Sequence, residues 1–153
     1  MLLKEYKELT PKINGGYVAE DASVIGDVDK IKIGANTSIQ DNAVAHCSTG
    51  NATVIGDNCV VGHNALIHSC TVEDGCLIGM GSILLDGCHI GTGSIVAAGA
   101  VVSPNTVIPP HSMVMGVPGR VVRQLNDKDI EGITLSVGHY IAYAEEQLPK
   151  YHI

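Results

Sequence analysis

Aliphatic residues recur at every sixth position over most of this chain, with short interruptions after residues 45 and 67. The register contains Ile33, Ile39, Ala45, Ile55, Val61, Ile67, Val72, Ile78, Leu84, Ile90, Val96, Val102, Ile108 and Val114. An α-helix repeats near 3.6 residues and an ordinary strand at 2.0, so neither has this period. Three steps make one coil of 18 residues, and a single coil cannot bury its apolar side. The pattern therefore predicts stacked coils that stabilise one another.

Two other positions of the six-residue unit are restricted. Gly often follows the aliphatic residue directly, and a small residue comes four positions after it. The small residues are Thr37, Ala43, Cys59, Ala65, Cys76, Ser82, Cys88, Ser94 and Ala100. This pattern resembles the hexapeptide repeat, [LIV]-G-x-x-[small]-x, of left-handed parallel β-helices. The resemblance implies the handedness and a triangular coil with aliphatic residues inside each face and small residues near each corner.

The limits of the repeat divide the chain. Residues 1–16 are expected to be a lead-in, and the six-residue pattern begins at Val18. It ends near a proline pair at 109–110, and a Val-Pro-Gly-Arg turn follows at 117–120. We therefore predict a single domain, 1–153, with an all-β left-handed parallel β-helix over 18–117 and a helical segment over 118–153.

A C-terminal α-helix is expected to begin after Asn126, which can cap it, with two aspartates in its first turn. One apolar stripe follows at helical spacing. It consists of Ile133, Val137, Tyr140, Ile141, Ala144 and Leu148. This stripe should pack against the β-helix or against a neighbouring subunit, while glycines at 132 and 138 weaken the helix.

Composition excludes several classes of partner. The formal net charge is −7 and the pI about 5.3, so neither nucleic acid nor an anionic membrane is an expected partner. The first 16 residues mix Lys and Glu among their apolar residues, unlike a signal peptide. Five cysteines are an odd number, and without an export signal they favour a reduced, cytoplasmic protein.

Three histidines follow the six-residue pattern. His46 and His68 each come directly after an aliphatic position, so they occupy the same phase of neighbouring coils. We expect their outward rings to stack one strand spacing apart, within reach of one ion at a Zn–N distance of about 2.0–2.1 Å. His63 lies on the preceding face and would have to reach a second such pair across a subunit boundary. Three histidine ligands leave one position open, which is typical of catalytic zinc.

The surroundings of these histidines resemble two motifs of the γ-class carbonic anhydrases. Residues 37–46, Thr-Ser-Ile-Gln-Asp-Asn-Ala-Val-Ala-His, match the family's Thr/Ser-Asn/Ser-Ile-Gln-Asp-Asn/Gly run that ends in His. Residues 62–68, Gly-His-Asn-Ala-Leu-Ile-His, match its Gly-His followed five residues later by His. Residues 78–81 and 117–119 match further downstream.

The resemblance implies a homotrimeric zinc enzyme that interconverts CO2 and bicarbonate. His46 and His68 of one subunit and His63 of the next would bind Zn2+, with Fe2+ or Co2+ as alternative metals. The metal would lower the pKa of its bound water to about 7, and the resulting hydroxide would attack CO2.

Three further residues acquire roles from the same resemblance. Gln40 would hold the water or hydroxide on the metal, and Asp41 would join a network at the subunit interface. Tyr140 resembles a tyrosine that these relatives place near the metal, although its helical phase fits a packing role equally well.

The chain departs from the family at one position. Family members carry an Arg-Gly-Asp segment whose Arg pairs with the aspartate matched by Asp41, whereas Ile25 stands here at the Arg position. The register also slips near Val28, as it would if one coil were missing. Lys32 is a poor substitute, because an ammonium cannot reproduce a bidentate guanidinium pairing. We therefore expect weak CO2 hydration.

Two other functions remain open at this point. Many hexapeptide-repeat proteins are acyl-CoA-dependent acyltransferases that use one His as a general base beside a cleft between coils. A non-catalytic trimeric assembly protein is the third possibility. The fold alone does not separate the three.

Overall fold

The computed structural model describes residues 2–5 and 11–147, with side chains described for 11–146, as a parallel β-helix of about six turns followed by an α-helix. The first strands are β1 (Leu2–Glu5), β2 (Lys12–Ile13), β3 (Tyr17–Val18), β4 (Ser23–Gly26), β5 (Ile31–Ile33), β6 (Ser38–Ile39), β7 (Val44–His46), β8 (Thr53–Ile55), β9 (Val60–Val61) and β10 (Leu66–His68). The others are β11 (Thr71–Val72), β12 (Leu77–Ile78), β13 (Ile83–Leu84), β14 (His89–Ile90), β15 (Ile95–Val96), β16 (Val101–Val102), β17 (Val107–Ile108), β18 (Ser112–Met115) and β19 (Arg120–Gln124). The helix is α1 (Asp127–Gln147). The predicted fold class is confirmed.

The strands form three faces that the chain visits in turn. The histidine face has the order β1-β4-β7-β10-β13-β16, and the polar face has β2-β5-β8-β11-β14-β17 in sequence. The helix-covered face runs β3-β6-β9-β12-β15-β18-β19, and its last pair, β18 and β19, is antiparallel. We call the edge between the histidine and polar faces the histidine corner. The edge between the helix-covered and histidine faces is the glutamine corner.

The aliphatic register fills the interior of the coils. Every register position from Ile33 to Val114 is at most 3% exposed, and the small residues four positions later are at most 1% exposed. Burying a large aliphatic side chain stabilises a fold by about 1.5–3 kcal/mol, so these register positions on the three faces supply most of the apolar core. The five cysteines are free and buried, as corner and core residues of the stack.

Close stacking of the coils explains the glycine that follows many register positions. A Cβ atom at Gly79 would lie 2.4 Å from the backbone nitrogen of Ala98 on the next coil, where no side chain fits. The glutamine corner instead needs left-handed backbone, which Asn42 and Asn64 adopt with φ of 58° and 59°. Asn tolerates that conformation better than most residues.

The N-terminal part of the chain differs from the prediction. Two strands, β1 and β2, precede residue 18 and pair in parallel with β4 and β5, so the expected lead-in already contributes to the ladder. Residues 1 and 6–10 of that segment lie outside the described residues. All three faces then run without interruption past residue 28. The slip in register is a longer corner over residues 27–30, and the loss of a coil relative to the family stays a prediction.

Helix α1 begins where the sequence predicted. The side-chain oxygen of Asn126 accepts a hydrogen bond from the backbone N–H of Asp129 (3.1 Å), and the Asp129 carboxylate accepts one from the N–H of Asn126 (2.8 Å). The buried side chains Ile133 and Val137 pack on Val60 of the helix-covered face. Leu148 of the predicted stripe lies outside the described residues. No helix among the described residues combines the length and apolar character that crossing a bilayer requires.

Candidate metal centre

His46 and His68 stack at the histidine corner, as their phase predicted. The two residues are direct partners in the pairing of β7 with β10. Their ring centroids are 5.1 Å apart, and Nε2 of His68 lies 3.1 Å from Nδ1 of His46. Both side chains are about one quarter to one third exposed, so the pair is open to solvent or to a partner.

A carboxylate occupies the other nitrogen of each ring. Nε2 of His46 lies 2.9 Å from Oδ1 of Asp27, and Nδ1 of His68 lies 2.6 Å from Oδ1 of Asp86. The hydrogen bond with His68, followed by one from Ser48, lowers the pKa of Asp86. Near neutral pH a carboxylate accepts hydrogen bonds but cannot donate them, so each neutral ring must carry its proton on the side of its carboxylate.

The two nitrogens that face each other are then both unprotonated. Their lone pairs converge at 3.1 Å, an arrangement that repels unless a proton or a cation lies between them. Two ligands of one tetrahedral zinc ion, each about 2.0–2.1 Å from the metal, are separated by about 3.3 Å. The spacing and the donor set of His46 and His68 therefore fit a divalent metal ion.

His63 lies at the glutamine corner, two residues after the end of β9. Its Nδ1 is 3.4 Å from Oδ2 of Asp41, which occupies the same corner one coil earlier, directly after Gln40. Gln40 is only 5% exposed, and its backbone N–H donates to the carbonyl of Val61 (3.0 Å). The structure thus brings together the predicted residues Gln40, Asp41 and His63.

The two groups lie at opposite edges of the histidine face. Among the side chains that the structure describes, no three from His, Cys, Asp or Glu converge in a way that could hold a metal ion. His63 of a subunit consequently does not complete the pair formed by its own His46 and His68.

Comparison with known proteins agrees with this architecture. Residues 69–104 match the family model described as bacterial transferase hexapeptide (six repeats). A probable carbonic anhydrase of Methanocaldococcus jannaschii is 57% identical over 125 residues, which cover 82% of this chain and 79% of that protein. This chain belongs to the γ-carbonic-anhydrase-like family of hexapeptide-repeat proteins.

Two other matches, one in sequence and one in structure, agree with this family. Gamma carbonic anhydrase 2 of Arabidopsis thaliana mitochondria is 44% identical over 126 residues, covering 78% of this chain but only 45% of that longer protein. The crystal structure of a hexapeptide transferase family protein from Anaplasma phagocytophilum superposes with a TM-score of 0.85 at 28% identity, covering 95% of this chain and 97% of that chain.

Ile25 stands where the resemblance in sequence predicted the family's Arg. Ile25 is the direct strand partner of His46 and is half-buried beside it. Lys32 is exposed on the polar face, between Lys12 and Val54, and so lies on a different face from the Asp41 corner. Within the described residues, the Asp41 carboxylate contacts His63 instead of a Lys or Arg.

Tyr140 packs against the helix-covered face. It belongs to the cluster around Val60, Ile133 and Val137, and its ring centroid is 6.3 Å from that of Tyr143. This position accords with the packing alternative that its helical phase allowed.

Sequence reasoning did not identify Asp27, Asp86 or Ser48 as part of the site. The two aspartates lie 19 and 18 residues from the histidines they contact, which is close to one coil. A search for acidic residues one coil before and after the histidine pair would have found both.

Proposed function

We propose that this chain is a γ-type carbonic anhydrase, a metal-dependent lyase that interconverts CO2 and bicarbonate. The observation that carries the proposal is the pair His46 and His68, whose facing nitrogens lie 3.1 Å apart while carboxylates hold their other nitrogens. The 57% identity to a protein named probable carbonic anhydrase supports it.

The proposed site is shared between subunits of a homotrimer. His46 and His68 of one subunit and His63 of the next supply three nitrogen ligands and leave one position open. We propose Zn2+ as the metal, with Fe2+ or Co2+ as alternatives. When bound, such an ion supplies a Lewis-acidic centre that lowers the pKa of a coordinated water toward neutrality.

The geometry of the histidine face supports the trimer. Its outer column is apolar and only half-buried in the single chain, and it lies between the two corners that carry the site. The column consists of Val44, Leu66, Ile83 and Val101. Contact between the histidine corner of one subunit and the glutamine corner of the next is heterologous, and a three-fold rotation closes it into a ring.

Gln40 and Asp41 would reach the site together with His63. The amide of Gln40 has both donors and an acceptor, and the buried position of this residue fixes the direction from which it can hold a reacting water. Asp41 holds Nδ1 of His63, which leaves Nε2 as the nitrogen available to a metal. We propose that Tyr140, besides its packing role, lies near a metal site that a partner subunit helps to form.

We expect the hydration activity to be weak. In this chain Asp41 faces an imidazole and Ile25 replaces the guanidinium, so the corner that carries Gln40 lacks a bidentate clamp. A looser corner orients the reacting water less well.

Metal analysis of the purified protein, light scattering and a CO2 hydration assay test the proposal together. We expect one divalent ion per subunit, a mass of about three times 16.0 kDa, and hydration that a chelator abolishes. A monomer without metal would refute the proposal. A metal-loaded trimer without any hydration would favour a non-catalytic assembly protein.

Acyl transfer is the second candidate, favoured by the close structural match to the hexapeptide transferase family protein of Anaplasma phagocytophilum. An assay with acetyl-CoA and simple amine or hydroxyl acceptors separates the two functions. Acyl transfer by metal-free protein would support this candidate and contradict the carbonic anhydrase proposal.

A further inference from the structure

Four side chains form a continuous line along the histidine corner. Asp27, His46, His68 and Asp86 come from four successive coils, because they follow or end β4, β7, β10 and β13. The contacts along the line measure 2.9, 3.1 and 2.6 Å. The carboxylates therefore enclose the histidine pair from both ends of the stack.

Asp86 is itself held in place by the loop that follows His46. The hydroxyl of Ser48 donates to Oδ2 of Asp86 (2.9 Å), while Oδ1 of the same carboxylate contacts His68 (2.6 Å). The backbone N–H of Ser48 donates in turn to the hydroxyl of Ser69 (2.6 Å), and Ser69 is fully buried. Both oxygens of Asp86 thus have defined partners, and the carboxylate has little freedom to rotate.

We propose that Asp86, anchored by Ser48, and Asp27 are positioning residues that fix the tautomers of His68 and His46 for metal binding; this inference rests on the proposed function. Each carboxylate keeps a ring proton on its own side and so keeps the lone pair of the opposite nitrogen directed at the ion. Such outer carboxylates also make the imidazole a stronger ligand, and their loss typically weakens metal binding by about 10–100-fold.

A purely structural brace is the competing explanation, and the chain contains a matched control for it. On the polar face, Oε1 of Glu73 lies 2.7 Å from Nε2 of His89, a carboxylate–histidine contact between neighbouring coils. The Glu73 and Asp86 side chains are exposed to similar degrees, 38% and 44%. Among the residues that the structure describes, the strand partners of His89 are Thr71 and Val107, so Glu73 can brace coils but cannot orient a pair of histidines for a metal.

The experiment compares Zn2+ and Co2+ affinities of the full-length wild-type protein, Asp86→Asn, Ser48→Ala and Glu73→Gln. Asp86→Asn keeps the shape of the side chain but removes its charge, so we expect a loss of affinity of about 10–100-fold. Ser48→Ala should give a smaller loss, which Ser48→Thr restores because the hydroxyl returns. Glu73→Gln should bind both ions as the wild type does.

The absorption spectrum of the Co2+ protein supplies a second readout. A brace that only holds coils together would lower the thermal stability of the metal-free protein without changing that spectrum, whereas a changed tautomer or ring angle shifts the bands. We expect altered bands in Asp86→Asn and unaltered bands in Glu73→Gln. If Asp86→Asn disturbs the fold, Ser48→Ala decides the question. Ser48 contacts Asp86, and Asp86 contacts the His68 ring.

The outcomes separate this inference from the proposed function. Tight metal binding by the wild type together with unchanged affinity and spectrum in Asp86→Asn and Ser48→Ala would overturn the positioning role and leave the metal site standing. Failure of the wild type itself to bind either ion would overturn both. An equal loss in Glu73→Gln would also overturn the positioning role, since it would trace the loss to the fold.

Discussion

Oδ2 of Asp41 lies 3.4 Å from Nδ1 of His63, one coil away at the same corner. The carboxylate is half exposed in the single chain, and exposed ion pairs contribute only about 0–1 kcal/mol. We therefore expect Asp41→Asn to change the free energy of unfolding, measured by urea denaturation, by less than about 1 kcal/mol. A loss above about 2 kcal/mol, the range for breaking a buried paired charge, would show that a cation from another subunit holds Asp41.

Mixed trimers test whether the metal is shared. His63→Ala and His46→Ala should each lose the ion, because each removes one of three protein ligands. When the two variants are unfolded and refolded together in equal amounts, about one quarter of the subunit boundaries should regain an intact site by random assembly. Metal content per boundary, measured after gel filtration, checks this value.

Two controls accompany the mixing experiment. His46→Ala mixed with His68→Ala should recover nothing, because both histidines come from the same side of a boundary. Full occupancy in His63→Ala alone would contradict a shared site.

The Glu73 carboxylate predicts an acid-dependent contribution to stability. Hydrogen bonds from the Thr92 hydroxyl, then from His89, lower the pKa of Glu73 from 4.5 to about 2. A carboxyl whose pKa is lower in the folded state stabilises the fold above its unfolded pKa and loses that contribution as the pH falls through the folded value. The melting temperature of Glu73→Gln should therefore lie below that of the wild type at pH 6, and the difference should shrink between pH 4.5 and 2.

An exposed glutamate serves as the reference for that titration. Glu20→Gln should leave the melting temperature within error at every pH in the series. A Glu73→Gln difference that stays constant down to pH 2 would contradict the assignment.

Two glycine substitutions should have opposite effects on stability. At Gly79 a Cβ would lie 2.4 Å from the Ala98 nitrogen, and overpacking of this kind costs about 1–3 kcal/mol, so Gly79→Ala should destabilise. At Gly132, inside α1, a Cβ meets nothing within 4 Å, and Gly132→Ala should stabilise by about 0.5–1 kcal/mol. Denaturant midpoints of the two variants check both directions, and stabilisation by Gly79→Ala would refute the close stacking.

The coils could be predicted from the sequence because steric requirements at several positions fix the six-residue period. A slip of one residue would place a polar side chain in a core where Ile55 and Ile67 are 0% exposed. The same phase argument predicted that His46 and His68 stack, which the pairing of β7 with β10 confirms. Their chemical roles stay proposals, since position on a face does not determine reactivity.

The errors came from corners and from short strands. Strand β2 contains only two residues, Lys12 and Ile13, too few to show a period, so its place in the ladder was missed. The change of phase near Val28 is a longer corner over 27–30, and a periodic pattern records such a change without showing whether residues were added or removed. Asp27 and Asp86 were missed for a related reason, since their contacts join different coils through corners of variable length.

The line from Asp27 to Asp86 also limits how a protein of this kind can change its length. A solenoid gains or loses repeats easily, because each repeat contacts only its neighbours. Extra coils beyond Ile108 would leave the four side chains in contact, whereas one coil inserted between β4 and β13 would separate two of them by a further strand spacing of about 4.8 Å. Insertions should accordingly accumulate at the two ends of the stack, and the coils between residues 27 and 86 should keep their number.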